Sequence, residues 1–263
     1  MMQLSISNIG WEKKNDIEVY RMMKEYGFVG LEIAPTRIFP ENPYEKNKEA
    51  EIWCKELQRE YGFSVPSMQS IWFGRQEKIF GSEEERQTLI DYTKKAIDFA
   101  IAIKCENLVF GCPRNRNIEN MKKLDVAIPF FKVLGDYAAQ NGTTIGMEAN
   151  PPIYNTNYIN DTVSAIELIE QVDSEGFKLN LDVGTMIQNK ESLTELVGKV
   201  QLINHVHISE PGLKSIEERK LHIELKEVLE AENYSKYVSI EMGKVDNISI
   251  LEEKMRYVSN IFQ

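Results

Sequence analysis

The sequence is poor in cysteine and has no long apolar run. Its 263 residues include three cysteines, Cys54, Cys105 and Cys112, an odd number whose spacing fits neither a disulfide framework nor a zinc knuckle. No stretch of about 18 apolar residues is present that would cross a membrane, and the first ten residues are not a basic leader. We therefore expect a soluble, cytoplasmic protein with reduced thiols and no membrane partner.

Positive charge is also in short supply. The chain has 31 basic and 41 acidic residues, a formal net charge of −10, which gives no general attraction to a nucleic acid backbone or to anionic lipid. We expect no nucleic-acid partner. A small anionic substrate is not excluded, because Arg114 and Arg116 could hold a phosphate or carboxylate locally. The competing interpretation is that both arginines are solvated loop charges.

What the sequence does contain is a repeated pattern, in which a short apolar run is followed by a long amphipathic segment. This alternation is typical of the βα units of a parallel sheet. The eight predicted strands are 4–9, 29–33, 64–68, 107–110, 144–148, 178–182, 202–208 and 238–242. The predicted helices are 16–26, 46–61, 83–103, 124–140, 162–172, 221–232 and 248–261, with a shorter one at 193–200.

The positions of four glycines support this assignment of strands and helices. Gly27, Gly62, Gly142 and Gly176 each follow an amphipathic segment, where a left-handed helix cap favours glycine. The main rival fold, an open doubly wound sheet, usually has a glycine-rich phosphate loop after its first strand, and residues 10–14 are not such a loop. Eight strand–helix units in about 250 residues match a barrel. We predict an α/β fold, a single (β/α)8 TIM barrel domain spanning residues 1–263.

Charged side chains end four consecutive predicted strands. They are Glu148, Asp182, His207 and Glu241, and barrel enzymes build their sites where the carboxyl ends of the strands converge. Three converging carboxylates repel one another unless a cation lies between them. We predict that these four residues bind one divalent metal ion, Mn²⁺ first, with Mg²⁺, Co²⁺ or Zn²⁺ as alternatives. The lack of a cysteine ligand argues against a structural zinc.

Strand seven carries two histidines, and we expect only one of them to enter the barrel mouth. His207 is the choice because it lies nearer the end of the strand. His205 is then expected to face the helix layer with Ile203, as a hydrogen-bonded packing histidine.

Around these residues the chain resembles the xylose isomerase-like barrel superfamily, in particular its sugar phosphate isomerase/epimerase group. The resemblance covers nearly the whole length and depends on the order of five fragments. These are Gly30-Leu31-Glu32-Ile33-Ala34-Pro35, Met147-Glu148-Ala149-Asn150-Pro151, Leu181-Asp182-Val183-Gly184, His205-Val206-His207-Ile208-Ser209-Glu210-Pro211 and Ser239-Ile240-Glu241-Met242. The resemblance implies the same four metal ligands. One departure is Thr185, where many members carry a histidine, and this argues against a site with several metals.

The resemblance implies a metal-dependent isomerase or epimerase that acts on a ketose, a sugar phosphate or a related keto-sugar through an enediolate. Glu148 and Glu241 are the predicted acid/base pair, because strands on either side of the metal would place them on opposite faces of that planar intermediate. The expected partner is a small sugar or sugar phosphate. Whether the chain forms a homo-oligomer stays open.

Five further polar residues are predicted to bind this substrate. They are Glu32, Gln69, Arg116, Glu210 and His222. Structural alternatives are a lysine partner for Glu32, loop backbone for Gln69 and a helix-start role for His222. Trp72 and Tyr154 follow strands three and five, where either could present an apolar face to a sugar ring, although a packed turn explains Tyr154 equally well.

Other functions share this framework. A lyase or dehydratase acting on a keto-sugar or keto-inositol uses the same enolate and is the strongest alternative. A hydrolase like the AP endonucleases fits less well, because three histidines in the whole chain are too few for a multi-zinc cluster. A binding protein without chemistry is disfavoured by the complete set of four ligands.

Overall fold

Short strands alternate with helices along the chain. The structure, a computed structural model, describes residues 1–119 and 125–263. The strands are β1 (Gln3–Ser7), β2 (Phe28–Glu32), β3 (Ser67–Met68), β4 (Asn107–Phe110), β5 (Ile145–Met147), β6 (Phe177–Asp182), β7 (Ile203–Ile208) and β8 (Tyr237–Ile240). The helices within the described ranges are α1 (Asp16–Glu25), α2 (Pro35–Ile38), α3 (Asn47–Tyr61), α4 (Glu83–Ala102), α5 (Ala127–Gln140), α6 (Thr162–Val172), α7 (Val183–Asn189), α8 (Lys220–Ala231) and α9 (Ser249–Phe262). None of these helices is long and apolar enough to span a bilayer.

The eight strands form one parallel sheet in the order β2-β1-β8-β7-β6-β5-β4-β3. Its two outer strands also meet, because isolated parallel bridges join Gly30 to Ser64 and Ile33 to Met68. The sheet thereby closes into a single (β/α)8 TIM barrel, and the predicted fold is confirmed. Closure brings the carboxyl ends of all eight strands to one rim.

Polar side chains fill much of the barrel interior. Asn107 of β4 donates to Asn180 Oδ1 of β6 at 3.3 Å and to Ser67 Oγ at 3.0 Å. Since β4 and β6 are not neighbours in the sheet, the first contact crosses the inside of the barrel. The alternate strand residues, such as Leu4 and Ile6, belong to the large apolar core that the helices cover.

Two helical segments differ from the prediction, and one predicted helix boundary lies outside the described residues. Helix α7 was not predicted, and it begins directly after Asp182, whose Oδ1 accepts from the Thr185 amide at 2.5 Å as an N-cap. Residues 193–200 do not form the predicted helix; two short 3₁₀ turns, Leu193–Leu196 and Val200–Leu202, lie there instead. The predicted start at residue 124 lies outside the described residues.

The predicted left-handed glycines are confirmed at three of four positions. Gly27, Gly62 and Gly142 have φ angles of 72°, 79° and 74°. The prediction for Gly176 is wrong, because α6 is capped by Asp173, which itself has a left-handed φ of 47°. A Cβ atom at Gly176 would lie 2.5 Å from the Ala139 nitrogen. Glycine is needed there for close packing of α5 against the segment before β6.

Candidate active site

The four predicted metal ligands lie at the carboxyl ends of neighbouring strands. Asp182 is the last residue of β6, His207 lies on β7, and Glu148 and Glu241 directly follow β5 and β8. Each is at most 9% exposed. One nitrogen or oxygen atom from each side chain lies within 4.8 Å of the corresponding atoms of the other three. The fold therefore brings together the complete set of residues that the strand ends indicated.

His207 is central to this cluster. Its Nδ1 atom lies 3.2 Å from Glu148 Oε2 and 3.2 Å from Glu241 Oε2. Burial and the charge of Glu148 raise the pKa of Asp182 to about 6. Burial also raises the pKa of Glu241 to about 7, with the charges of Glu148 and Asp182 acting in the same direction.

The raised pKa values of Asp182 and Glu241 show that burial and the neighbouring negative charges both oppose ionisation of these two carboxyl groups. A divalent cation removes that repulsion, and carboxylate oxygens with one imidazole nitrogen are ligands that Mn²⁺, Mg²⁺, Co²⁺ and Zn²⁺ accept. The donor set and its spacing therefore fit one divalent metal ion.

Neutral side chains hold the carboxylates in place. Asn150 and Asn180 each donate to Glu148 at 2.9 Å, to Oε1 and Oε2 respectively. The Ser209 hydroxyl donates to Asp182 Oδ2 at 2.6 Å. The sequence analysis did not single out these three residues as functional, although Asn180 lies two residues before Asp182 and so shares its strand face.

The assignment of His205 to the helix layer is wrong. Residues two apart on a strand point to the same face, so His205 enters the barrel with His207, and their ring centroids are 5.3 Å apart. Both imidazoles approach one carboxylate oxygen: Glu32 Oε2 lies 2.9 Å from His207 Nε2 and 3.1 Å from His205 Nε2. The described residues contain no lysine partner for Glu32, so that alternative is not supported.

A cavity of about 620 Å³ opens at the barrel mouth above the cluster. Glu148, Asp182 and Glu241 form part of its wall. The same wall includes the predicted residues Gln69, Glu210, Trp72 and Tyr154. Glu210 is held by Arg219, whose Nε and Nη2 donate to its two oxygens at 2.6 and 2.7 Å. The buried four-residue cluster and the open cavity are thus continuous.

Two predicted substrate contacts lie away from this cavity. Glu32 is fully buried next to His207, and its carboxylate does not reach the cavity wall. His222 is also fully buried, with its Nδ1 atom 3.0 Å from the Tyr257 hydroxyl. Glu32 and His222 were predicted to contact a sugar. In the structure both side chains contact protein groups instead, and neither lines the cavity.

Arg116 likewise does not line the cavity. Its guanidinium is buried and donates to the Glu148 carbonyl at 2.9 Å and to Asn150 Oδ1 at 2.8 Å. Burial lowers the pKa of Arg116 to about 10, a value at which the group still carries its charge at neutral pH. Arg116 supports the loop that carries Glu148, whereas the exposed Arg114 lines the cavity.

The sequence profile of the xylose isomerase-like TIM barrel family matches residues 20–261. The chain therefore belongs to the xylose isomerase-like TIM barrel family, as the motif order predicted. A search of curated protein sequences gives no match.

Solved structures with the same fold include two sugar epimerases. A 3-keto-D-glucoside 4-epimerase from E. coli superposes with a TM-score of 0.77 and 20% identity, covering 99% of each chain. A D-psicose 3-epimerase from Clostridium cellulolyticum H10, solved with D-tagatose, gives 0.76 and 14%, covering 100% of each. An AP endonuclease of family 2 from Brucella melitensis gives 0.70 and 20%, covering 93% of this chain and 94% of that one.

Proposed function

We propose that this protein is a metal-dependent sugar epimerase or isomerase that moves a proton on a carbon next to a carbonyl group. The observation that carries the proposal is the pair Glu148 and Glu241, each with a carboxylate oxygen 3.2 Å from His207 Nδ1. These two residues come from β5 and β8, on either side of β6 and β7. A flat substrate bound between them would present one face to each carboxylate.

Glu148, Asp182, His207 and Glu241 are the residues that would hold the metal, and Mn²⁺ is the ion we expect first. When bound there, such an ion would supply Lewis-acid polarisation of a substrate carbonyl, which would make the neighbouring C–H bond more acidic.

The two glutamates supply the proton transfers. In an epimerisation, one carboxylate takes the proton from one face of the carbon and the other returns a proton to the opposite face. In an aldose–ketose isomerisation, the proton moves instead between neighbouring carbons. Asn150 and Asn180 donate to the two oxygens of Glu148 at 2.9 Å, which orients this carboxylate toward the space between the two glutamates' strands.

The cavity and the structural relatives support a sugar substrate. The two epimerases with this fold act, by their names, on a keto-glucoside and on a ketose, and we propose the same substrate class here. Trp72 and Tyr154 supply aromatic surface to the cavity wall. Arg114 is a cationic group on that wall, and an anionic substituent such as a phosphate would meet it.

The second candidate is a lyase or dehydratase on a keto-sugar. It would use the same first step, removal of a proton beside a carbonyl, and would then expel a neighbouring hydroxyl. Deuterium uptake without loss of water distinguishes the epimerase from this lyase. An AP endonuclease activity is less well supported, because His207 is the only histidine in the four-residue cluster of the described chain.

The test is solvent-deuterium incorporation into ketoses, ketose phosphates and a 3-keto-glucoside by the wild-type protein and by Glu148→Gln and Glu241→Gln. We expect the wild type to exchange one C–H position and each variant to lose this exchange by at least about 100-fold, the lower range for a positioned acid or base. Wild-type exchange rates in either variant would remove that glutamate from the mechanism. Asp182→Asn is the matched comparison, which should chiefly weaken metal retention.

A further inference from the structure

Glu32 is the least exposed carboxylate near the candidate metal site. It ends β2 and has no measurable exposure to solvent. A charge in such a place is costly unless hydrogen-bond donors surround it. Its surroundings therefore indicate what the residue does, since it lies outside the cavity that a substrate would enter.

Two aligned donors face this carboxylate. His207 Nε2 lies 2.9 Å from Glu32 Oε2, and Gln69 Nε2 donates to Glu32 Oε1 at 3.1 Å. Gln69 is itself fixed by a 2.6 Å hydrogen bond to Ser7 Oγ. Each oxygen of the Glu32 carboxylate therefore has a nitrogen atom within hydrogen-bond distance, and a carboxylate oxygen is a hydrogen-bond acceptor.

This has a direct consequence for His207. For Nε2 to donate to the Glu32 oxygen 2.9 Å away it must carry a proton, so in the neutral ring the lone pair is on Nδ1. Nδ1 is the atom that faces Glu148 and Glu241 at 3.2 Å. We infer that Glu32 is a positioning residue, which fixes the ring and the tautomer of His207 so that Nδ1 is the metal ligand. This inference rests on the proposed function only for its metal site, and it needs no particular sugar.

A second metal ion among Glu32, His205 and His207 is the competing interpretation of the same group. Hydrogen bonding and burial argue against it. Glu32 Oε1 already accepts from Gln69 Nε2 at 3.1 Å, and Glu32 Oε2 lies 2.9 Å from His207 Nε2, within hydrogen-bond distance. All three side chains are at most 1% exposed, so an ion would have no open path to them.

The first test is the affinity for Mn²⁺ of the metal-stripped protein, measured by titration calorimetry. Glu32→Met removes the acceptor while keeping the length of the side chain, and we expect the affinity to fall by about 10–100-fold, as is typical when the partner of a ligating histidine is lost. Glu32→Gln should recover part of this loss, because its amide oxygen can accept from His207 once the Gln69 amide turns over. Partial rescue by Gln is not expected from a purely space-filling role.

Glu191→Met is the matched control. Glu191 is a partly buried glutamate that accepts from the Thr162 backbone amide, away from the cluster. Its replacement should leave the Mn²⁺ affinity unchanged. A similar loss in this variant would show that any glutamate-to-methionine change disturbs the site, and it would overturn the inference.

The second test reads the tautomer and does not depend on a variant that folds. In a wild-type sample with ¹⁵N-labelled histidine and bound Zn²⁺, we expect the ring proton of His207 on Nε2. A proton on Nδ1, or wild-type Mn²⁺ affinity in Glu32→Met, would overturn the role of Glu32 while leaving the epimerase proposal intact. Failure of the wild-type protein to bind any divalent metal would overturn the proposed function and the ligand role together.

Discussion

His222 is a buried histidine outside the metal cluster, and its environment predicts a pH-dependent stability. Burial lowers the pKa of His222 to about 4 from an ordinary value of 6.5, and its Nε2 atom has no hydrogen-bond partner among the described residues. Between pH 6.5 and 4 the unfolded chain binds a proton that the folded chain does not. The contribution of His222 to the free energy of unfolding is therefore fully present above pH 6.5 and is lost as the pH falls toward 4.

The prediction compares the wild type with His222→Leu, which cannot titrate. Between pH 7 and pH 5 the free energy of unfolding of the wild type should fall by about 2 kcal/mol more than that of the variant. Urea unfolding at both pH values measures this difference. Equal losses in the two proteins would show that His222 is already free to protonate in the folded state.

At the residue scale, the position of a polar side chain at the carboxyl end of a strand was enough to find the four clustered residues, because barrel geometry brings those strand ends together. The same criterion does not indicate which neighbouring side chains are buried and hold the four residues in place. Arg114 and Arg116 are two residues apart, yet the turn at Pro113–Asn115 sends one to the cavity wall and the other into the interior. Only the folded loop distinguishes them.

Packing between elements gives a second prediction, at Gly176. An added Cβ atom would meet the backbone of α5 at Gly135 and Ala139, which cannot rotate away as a side chain would. Gly176→Ala should therefore lower the free energy of unfolding by about 1–3 kcal/mol, the usual cost of overpacking. Gly10→Ala is the control, since the nearest atom there, Leu251 Cδ2, lies at an ordinary 3.4 Å. Equal unfolding free energies for the two variants would show that α5 can move aside.

At the element scale, seven of the predicted helices and all eight strands exist, because their apolar period and capping residues are local properties of the sequence. Helix α7 was missed because it has no preceding loop. Asp182 ends β6 and caps α7 at once, so one residue serves as strand end, helix cap and candidate ligand. Short elements such as α2 give too few residues for a periodic pattern to show.

The stability of the whole molecule should depend on the metal. A ligand that binds only the folded state stabilises it by about 2.7 kcal/mol at 100 times its Kd. Removing the metal with a chelator should therefore lower Tm by several degrees, at roughly 2–4 °C per kcal/mol for a chain of this size. Asp182→Asn should show a smaller chelator effect in the same calorimetric scan. A Tm that does not respond to chelator or to added Mn²⁺ would argue against a metal site.

At the scale of the whole chain, the fold follows from the sequence because eight strand–helix units in a chain of this length match a barrel, whose closure buries their apolar faces together. The contacts that hold the site residues in place do not follow from the sequence in the same way. Glu32 and His207 are separated by 175 residues and meet on non-adjacent strands. Sequence spacing carries no sign of that contact, and Glu32 was accordingly predicted to contact substrate.

The measurement that tests the central claim most directly is deuterium uptake from D₂O into a keto-sugar, made with metal-stripped protein before and after addition of Mn²⁺. The account predicts no exchange without metal, and exchange at one carbon beside the carbonyl once one ion per chain is bound. Exchange that is equally fast in the stripped protein would contradict the metal-dependent proton transfer. Binding of the sugar with no exchange under either condition would contradict the assignment of Glu148 and Glu241 as an acid/base pair.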